Sequence, residues 1–90
     1  MVGAERGNAP PLHGRVAAVL SEVLRIKGEE RTAFASDDPL YEGGVGMDSL
    51  DAATFSVLLE REFGSDPYRA KVFPRTVGDV LAFFEAREEG

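Results

Sequence analysis

A chain of 90 residues with net charge −6 is long enough for one compact domain and too short for two, and 43% hydrophobic with 29% charged residues is the composition of a folding unit. The acidity repels phosphate backbones and anionic lipid, excluding nucleic acid and membrane as main partners, and the lack of Cys excludes a disulfide framework, a thiolate metal site and a cysteine nucleophile. No apolar run approaches the roughly 20 residues of a membrane span, and the N-terminus lacks the basic-then-apolar order of a signal peptide, so a cytoplasmic monomer is expected.

Residues 1–10 mix Gly, Asn, Pro and charge without an apolar period and read as a flexible N-terminal tail ahead of one domain over 11–88. From Leu12 the residues Val16, Val19, Leu20, Val23 and Leu24 recur at steps of three and four, which predicts a helix over 11–27 stopped by Gly28. Residues 28–48 carry Gly28, Pro39, Gly43, Gly44 and Gly46 and predict a long loop that Phe34, Leu40, Tyr41 and Val45 can pin to the core, with its second half ordered. A second helix is expected over 49–63, capped by Asp48 or Ser49 and closed by Gly64. Phe55, Leu59 and Phe63 form its core stripe, while Leu50, Ala53 and Val57 form another beside Ser49. Pro67 opens a brief third helix through Val72. Thr76 and Asp79 then have the spacing of a capping box, starting a last helix with Val77, Val80, Leu81 and Phe84 on one face. The expected fold is all-α, a small four-helix bundle of three longer helices and one short one.

The chemically informative stretch is Gly46-Met47-Asp48-Ser49-Leu50-Asp51, in which a Gly-rich loop delivers a serine to the first turn of a helix. Unpaired N–H groups and the positive end of the macrodipole favour a phosphate there. Ser21, Ser36, Ser56 and Ser65 lack this combination of loop, helix start and flanking acid. His13 is the one histidine, so neither a Ser–His couple nor a histidine metal site finds support, and Gly43-Gly44-Val45-Gly46 is not followed by the Gly-Lys-Ser/Thr of a nucleotide loop.

Asp48-Ser49-Leu50 at a helix start, the helix end Leu59-Glu60-Arg61-Glu62-Phe63-Gly64, and Phe73-Pro74-Arg75-Thr76-Val77-Gly78-Asp79-Val80 before the last helix together resemble the acyl carrier protein family. The resemblance implies a carrier and not an enzyme. A phosphopantetheinyl transferase would place 4′-phosphopantetheine from coenzyme A on Ser49, with Asp48 and Leu50 in transferase recognition, and the arm's thiol would carry acyl groups as thioesters. It also implies that Leu50, Asp51, Ala53, Val57, Glu60 and Arg61 form a docking surface for acyl-loading and acyl-processing enzymes with basic complements. Asp48, Asp51, Glu60 and Glu62 against Arg61 give that helix a local charge of −3.

Thr54 and Arg61 stand where carriers of fatty acid synthesis usually show acids, and Arg69 and Lys71 stand in a stretch customarily negative. These departures favour a specialised pathway, polyketide or related, over ordinary fatty acid synthesis. Asp48 favours the acyl branch over peptidyl carriers; a freestanding aminoacyl or peptidyl carrier and an unmodified helical adaptor that binds through the second helix are the alternatives.

Overall fold

Five apolar side chains at helical spacing set the centre of the molecule. In the computed structural model, which describes residues 11–89, α1 spans Leu12–Ile26 and buries Val16, Val19, Leu20, Val23 and Leu24. The Arg15 N–H donates to the Pro11 carbonyl at one end, and at the other the Gly28 and Glu29 N–H groups close on Arg25 and Leu24. The expected N-terminal tail lies outside the described residues.

α2 spans Ser49–Phe63 and α3 spans Val77–Glu89, and α1 packs against both. Phe55 and Leu59 of α2 and Val77, Val80, Leu81 and Phe84 of α3 join the α1 residues in one core. Phe63 and Phe84 stack at 4.2 Å between ring centroids, joining α2 to α3. The start of α3 carries the expected capping box: Thr76 Oγ1 accepts from the Asp79 N–H, and Asp79 Oδ2 accepts from the N–H groups of Arg75 and Thr76. Those bonds, the Arg75 N–H foremost, hold the Asp79 carboxyl below the usual carboxylate range.

The long connection between α1 and α2 is anchored along both halves rather than the second alone. Phe34, Leu40, Val45 and Met47 are buried in the core. His13 Nε2 donates to the Phe34 carbonyl at 2.7 Å, and Ser21 Oγ donates to the Arg31 carbonyl at 2.6 Å. The N–H groups of Leu40, Val77 and Gly78 bond to the carbonyls of Arg75, Asp38 and Ser36, so the loop frames the first turn of α3.

The brief third helix is a correction. Residues 67–71 form a turn, and the described residues contain three helices, so the all-α class stands while the count of four does not. The Ala70 N–H reaches the Asp66 carbonyl, but Lys71 then enters the left-handed region at φ 65°, and its N–H and that of Val72 bond back to Tyr68 and Pro67. One turn is too short to sustain a helix by its own hydrogen bonds. Tertiary contacts hold it instead. Pro67 is buried, and the buried Asp66 carboxylate accepts from Ser56 Oγ and the Tyr68 N–H. The Tyr41 and Tyr68 hydroxyls meet at 2.8 Å, and burial, with this bond adding to it, pushes the Tyr68 phenol far above its ordinary range.

Phe55 and Val57 are two residues apart on α2, yet Phe55 is fully buried and Val57 is 57% exposed. Phe55→Ala should lower the unfolding free energy by about 3–5 kcal/mol, and Val57→Ala should change it by less than about 0.5 kcal/mol. Urea denaturation of the two variants checks the contrast; equal losses would contradict this placement of α2.

Candidate functional site

The approach to α2 alternates between the interior and solvent. Val45 and Met47 are buried, their N–H groups bonded to the carbonyls of Pro39 and Leu40, while Gly46 and Asp48 face outward. Gly44 is required by close approach, since a Cβ there would stand 2.1 Å from the Pro39 carbonyl oxygen. Gly46 is required by conformation: its φ of 83° turns the chain from the loop into the helix.

Sequence left the cap of α2 to Asp48 or Ser49, and the geometry gives it to Asp48. Asp48 Oδ1 accepts from the Asp51 N–H at 2.8 Å and Asp51 Oδ2 accepts from the Asp48 N–H at 3.0 Å, a reciprocal box with Asp in place of the usual Glu. Ser49 is thereby the first helical residue, exposed, its hydroxyl without a hydrogen-bond partner among the described residues. The N–H groups of Ser49 and Leu50 point out of the helix end with no acceptor among those residues, as the first N–H groups of a helix do. Leu50 beside them is 75% exposed.

A residue from α1's end locks this arrangement. Lys27 Nζ donates to Asp51 Oδ2 at 2.7 Å and to the Gly46 carbonyl at 3.4 Å, bridging the loop to the helix on either side of Ser49. The Lys27 hydrogen bond, with the Asp48 N–H second, holds the Asp51 carboxyl below the usual carboxylate range, and the same bond raises the Lys27 ammonium above its ordinary value. Sequence reading passed over Lys27 because its partner lies 24 residues away and no local pattern links the two.

The expected docking residues divide into two sets. Leu50, Ala53, Val57 and Arg61 are exposed along the outward side of α2. Asp51 and Glu60 are engaged, Asp51 with Lys27 and Glu60 with Arg69 at 2.8 Å, and Glu62 is held by Arg15 at 3.0 Å. Three cations from other segments therefore offset the −3 of α2, and Asp48 is left as its exposed acid without an ion-pair partner among the described residues.

Two comparisons with known proteins cover most of the chain. The family described as "Phosphopantetheine attachment site" matches residues 14–84. An acyl carrier protein of Azobacteroides pseudotrichonymphae genomovar. CFP2 is 32% identical over 74 residues, covering 80% of this chain and 82% of that protein. No solved structure gives a significant match.

Lys27→Met tests the clamp through pH. Asp51's depressed pKa contributes stability above the unfolded carboxylate value and loses it as pH falls through the folded one, while Lys27's raised pKa contributes below the unfolded ammonium value and loses it as pH rises through the folded one. Lys27→Met should melt at a lower temperature than the parent between about pH 4 and pH 10. The two melting curves should converge below about pH 4. A difference that persists unchanged in acid, read by circular dichroism, would remove the ion pair as its cause.

Proposed function

The chain belongs to the acyl carrier protein family with its phosphopantetheine attachment site, and on that footing we propose that Ser49 bears the 4′-phosphopantetheine arm. As a member of that family the protein is a carrier and not an enzyme. The observation that supports Ser49 is its placement: Asp48 takes the capping role, so the neighbouring residue is exposed at the helix's positive end with its hydroxyl unbonded among the described residues.

The residues present fit the group. The free N–H groups of Ser49 and Leu50 suit a phosphodiester oxygen, and the helix end stabilises its negative charge. The Lys27–Asp51 clamp keeps the helix start closed while a transferase approaches. Asp48 keeps an exposed carboxylate beside the hydroxyl for that enzyme and its metal ion, and Leu50 offers an apolar contact. When attached, the arm supplies a thiol that holds acyl cargo as a thioester, which a chain without cysteine does not otherwise possess.

Loading and processing enzymes dock, in this reading, on the outward side of α2 through Leu50, Ala53 and Val57. Arg61 and Thr54 on α2, with Arg69 and Lys71 in the turn that follows, favour a specialised pathway of polyketide or related secondary metabolism over ordinary fatty acid synthesis. Asp48 favours acyl over peptidyl cargo.

Incubation with coenzyme A and a broad-specificity phosphopantetheinyl transferase should add one phosphopantetheine unit to the intact mass. Ser49→Ala should melt like the parent and gain none. A loaded Ser49→Ala variant would move the attachment elsewhere, and an unloaded parent would leave the adaptor reading in its place.

A further inference from the structure

We propose that the enzymes acting on this carrier meet the far end of α2 with carboxylates set around an apolar socket, inverting the basic complement that the acids of its sequence suggest. The inference rests on the reading of Ser49 as the arm's anchor and deepens it by naming the chemistry of the partner surface.

The charges that reach solvent on this face differ from those counted along the chain. Asp51, Glu60 and Glu62 are each in an ion pair, whereas Arg61 is exposed with no partner among the described residues. The Arg69–Glu60 pair draws the 67–71 turn alongside α2, and Arg69's side chain is itself largely exposed. Lys71 is also exposed and without a partner among the described residues, held at the tip of that turn by its left-handed backbone. From Pro67 to Gly78 the sequence has no acid and three cations, Arg69, Lys71 and Arg75, in a chain whose net charge is −6. Val57 and Leu50 lie along α2 between Arg61 and Asp48, and Val72 and Phe73, which follow Lys71 in the chain, are exposed as well.

Along α2 the unpaired charge thus changes sign: Asp48 beside Ser49, exposed apolar side chains in the middle, and Arg61 at the far end, where the half-exposed Glu60 and Glu62 are each held by an arginine. Twelve residues of helix separate Ser49 from Arg61, about 18 Å along the axis. A uniformly basic partner would set its own cations against Arg61 and Lys71, and like charges brought together at an interface oppose binding. A partner with an apolar socket and carboxylates about 18 Å from the mouth that admits the arm satisfies both the exposed valine and the unpaired arginine.

The test uses two synthetic amphipathic helices of one length, one of Leu and Glu and one of Leu and Lys, titrated into the full-length isotope-labelled protein and its Arg61→Glu/Lys71→Glu variant. The amide signals of residues 50–61 and 69–73 report the face in question. The Leu/Glu helix should shift those signals with roughly fivefold tighter binding than the Leu/Lys helix, and the double variant should reverse the preference. Equal or tighter binding of the Leu/Lys helix on those signals, a preference unchanged in the double variant, or no shift from either helix would each overturn the proposal. Loading of both proteins by the transferase, read as intact mass, separately tests the carrier reading. That reading is judged on the unsubstituted protein, where one added phosphopantetheine unit upholds it and none overturns it, whatever the helix titrations give.

Discussion

The reciprocal bond between Asp48 and Asp51 is the constraint on which the site depends. A helix start needs an acceptor for its first N–H groups, and a serine beside one is ordinarily drawn into that role. Here Asp48 satisfies the requirement, and the serine that follows is left free at the most electropositive point of the helix. Lys27 makes the arrangement tertiary as well as local, because its ammonium joins the end of α1 to the acid that completes the box.

The loop that leads there shows how a segment without regular structure is held in one shape. Its polar backbone is satisfied by the opening turn of α3, and its apolar side chains Phe34, Leu40, Val45 and Met47 enter the same core as the helices. Gly44 lies against Pro39 and Gly46 turns the chain, so the last residues before α2 alternate between core and solvent. The geometry at Ser49 is therefore set from behind by hydrophobic burial and from beside by an ion pair. In front of it Leu50, Ala53 and Val57 face solvent.

Charge on this protein is organised by pairing across segments. Each paired acid of α2 meets a cation from a different part of the chain: Lys27 at the end of α1, Arg15 at its start, Arg69 in the turn after α2. Exposed pairs of this kind contribute little to stability, typically below about 1 kcal/mol. Their larger consequence is for recognition, since they decide which charges remain available to another protein.

The sequence by itself determined the three long helices, the inward faces of each, the capping box at Thr76 and Asp79, and the singling out of Ser49, because all of these are written in spacings of three and four residues or in the local chemistry of a helix end. It also separated the stripe of Phe55 and Leu59 from that of Leu50, Ala53 and Val57. Only the tertiary structure decided that Asp48 and not Ser49 is the cap, that 67–71 is a turn held by Asp66, Pro67 and Tyr68, and that Asp51 and Glu60 are engaged while Arg61 has no partner among the described residues. The Asp48–Asp51 box is local, and what spacing leaves open there is which of two adjacent cap-forming side chains accepts the N–H; the turn and the ion pairs share another reason. These outcomes depend on partners up to 27 residues distant, Tyr41 for Tyr68 and Lys27 for Asp51 among them, and a pattern of neighbours along the chain does not record which side chains folding brings within 3 Å.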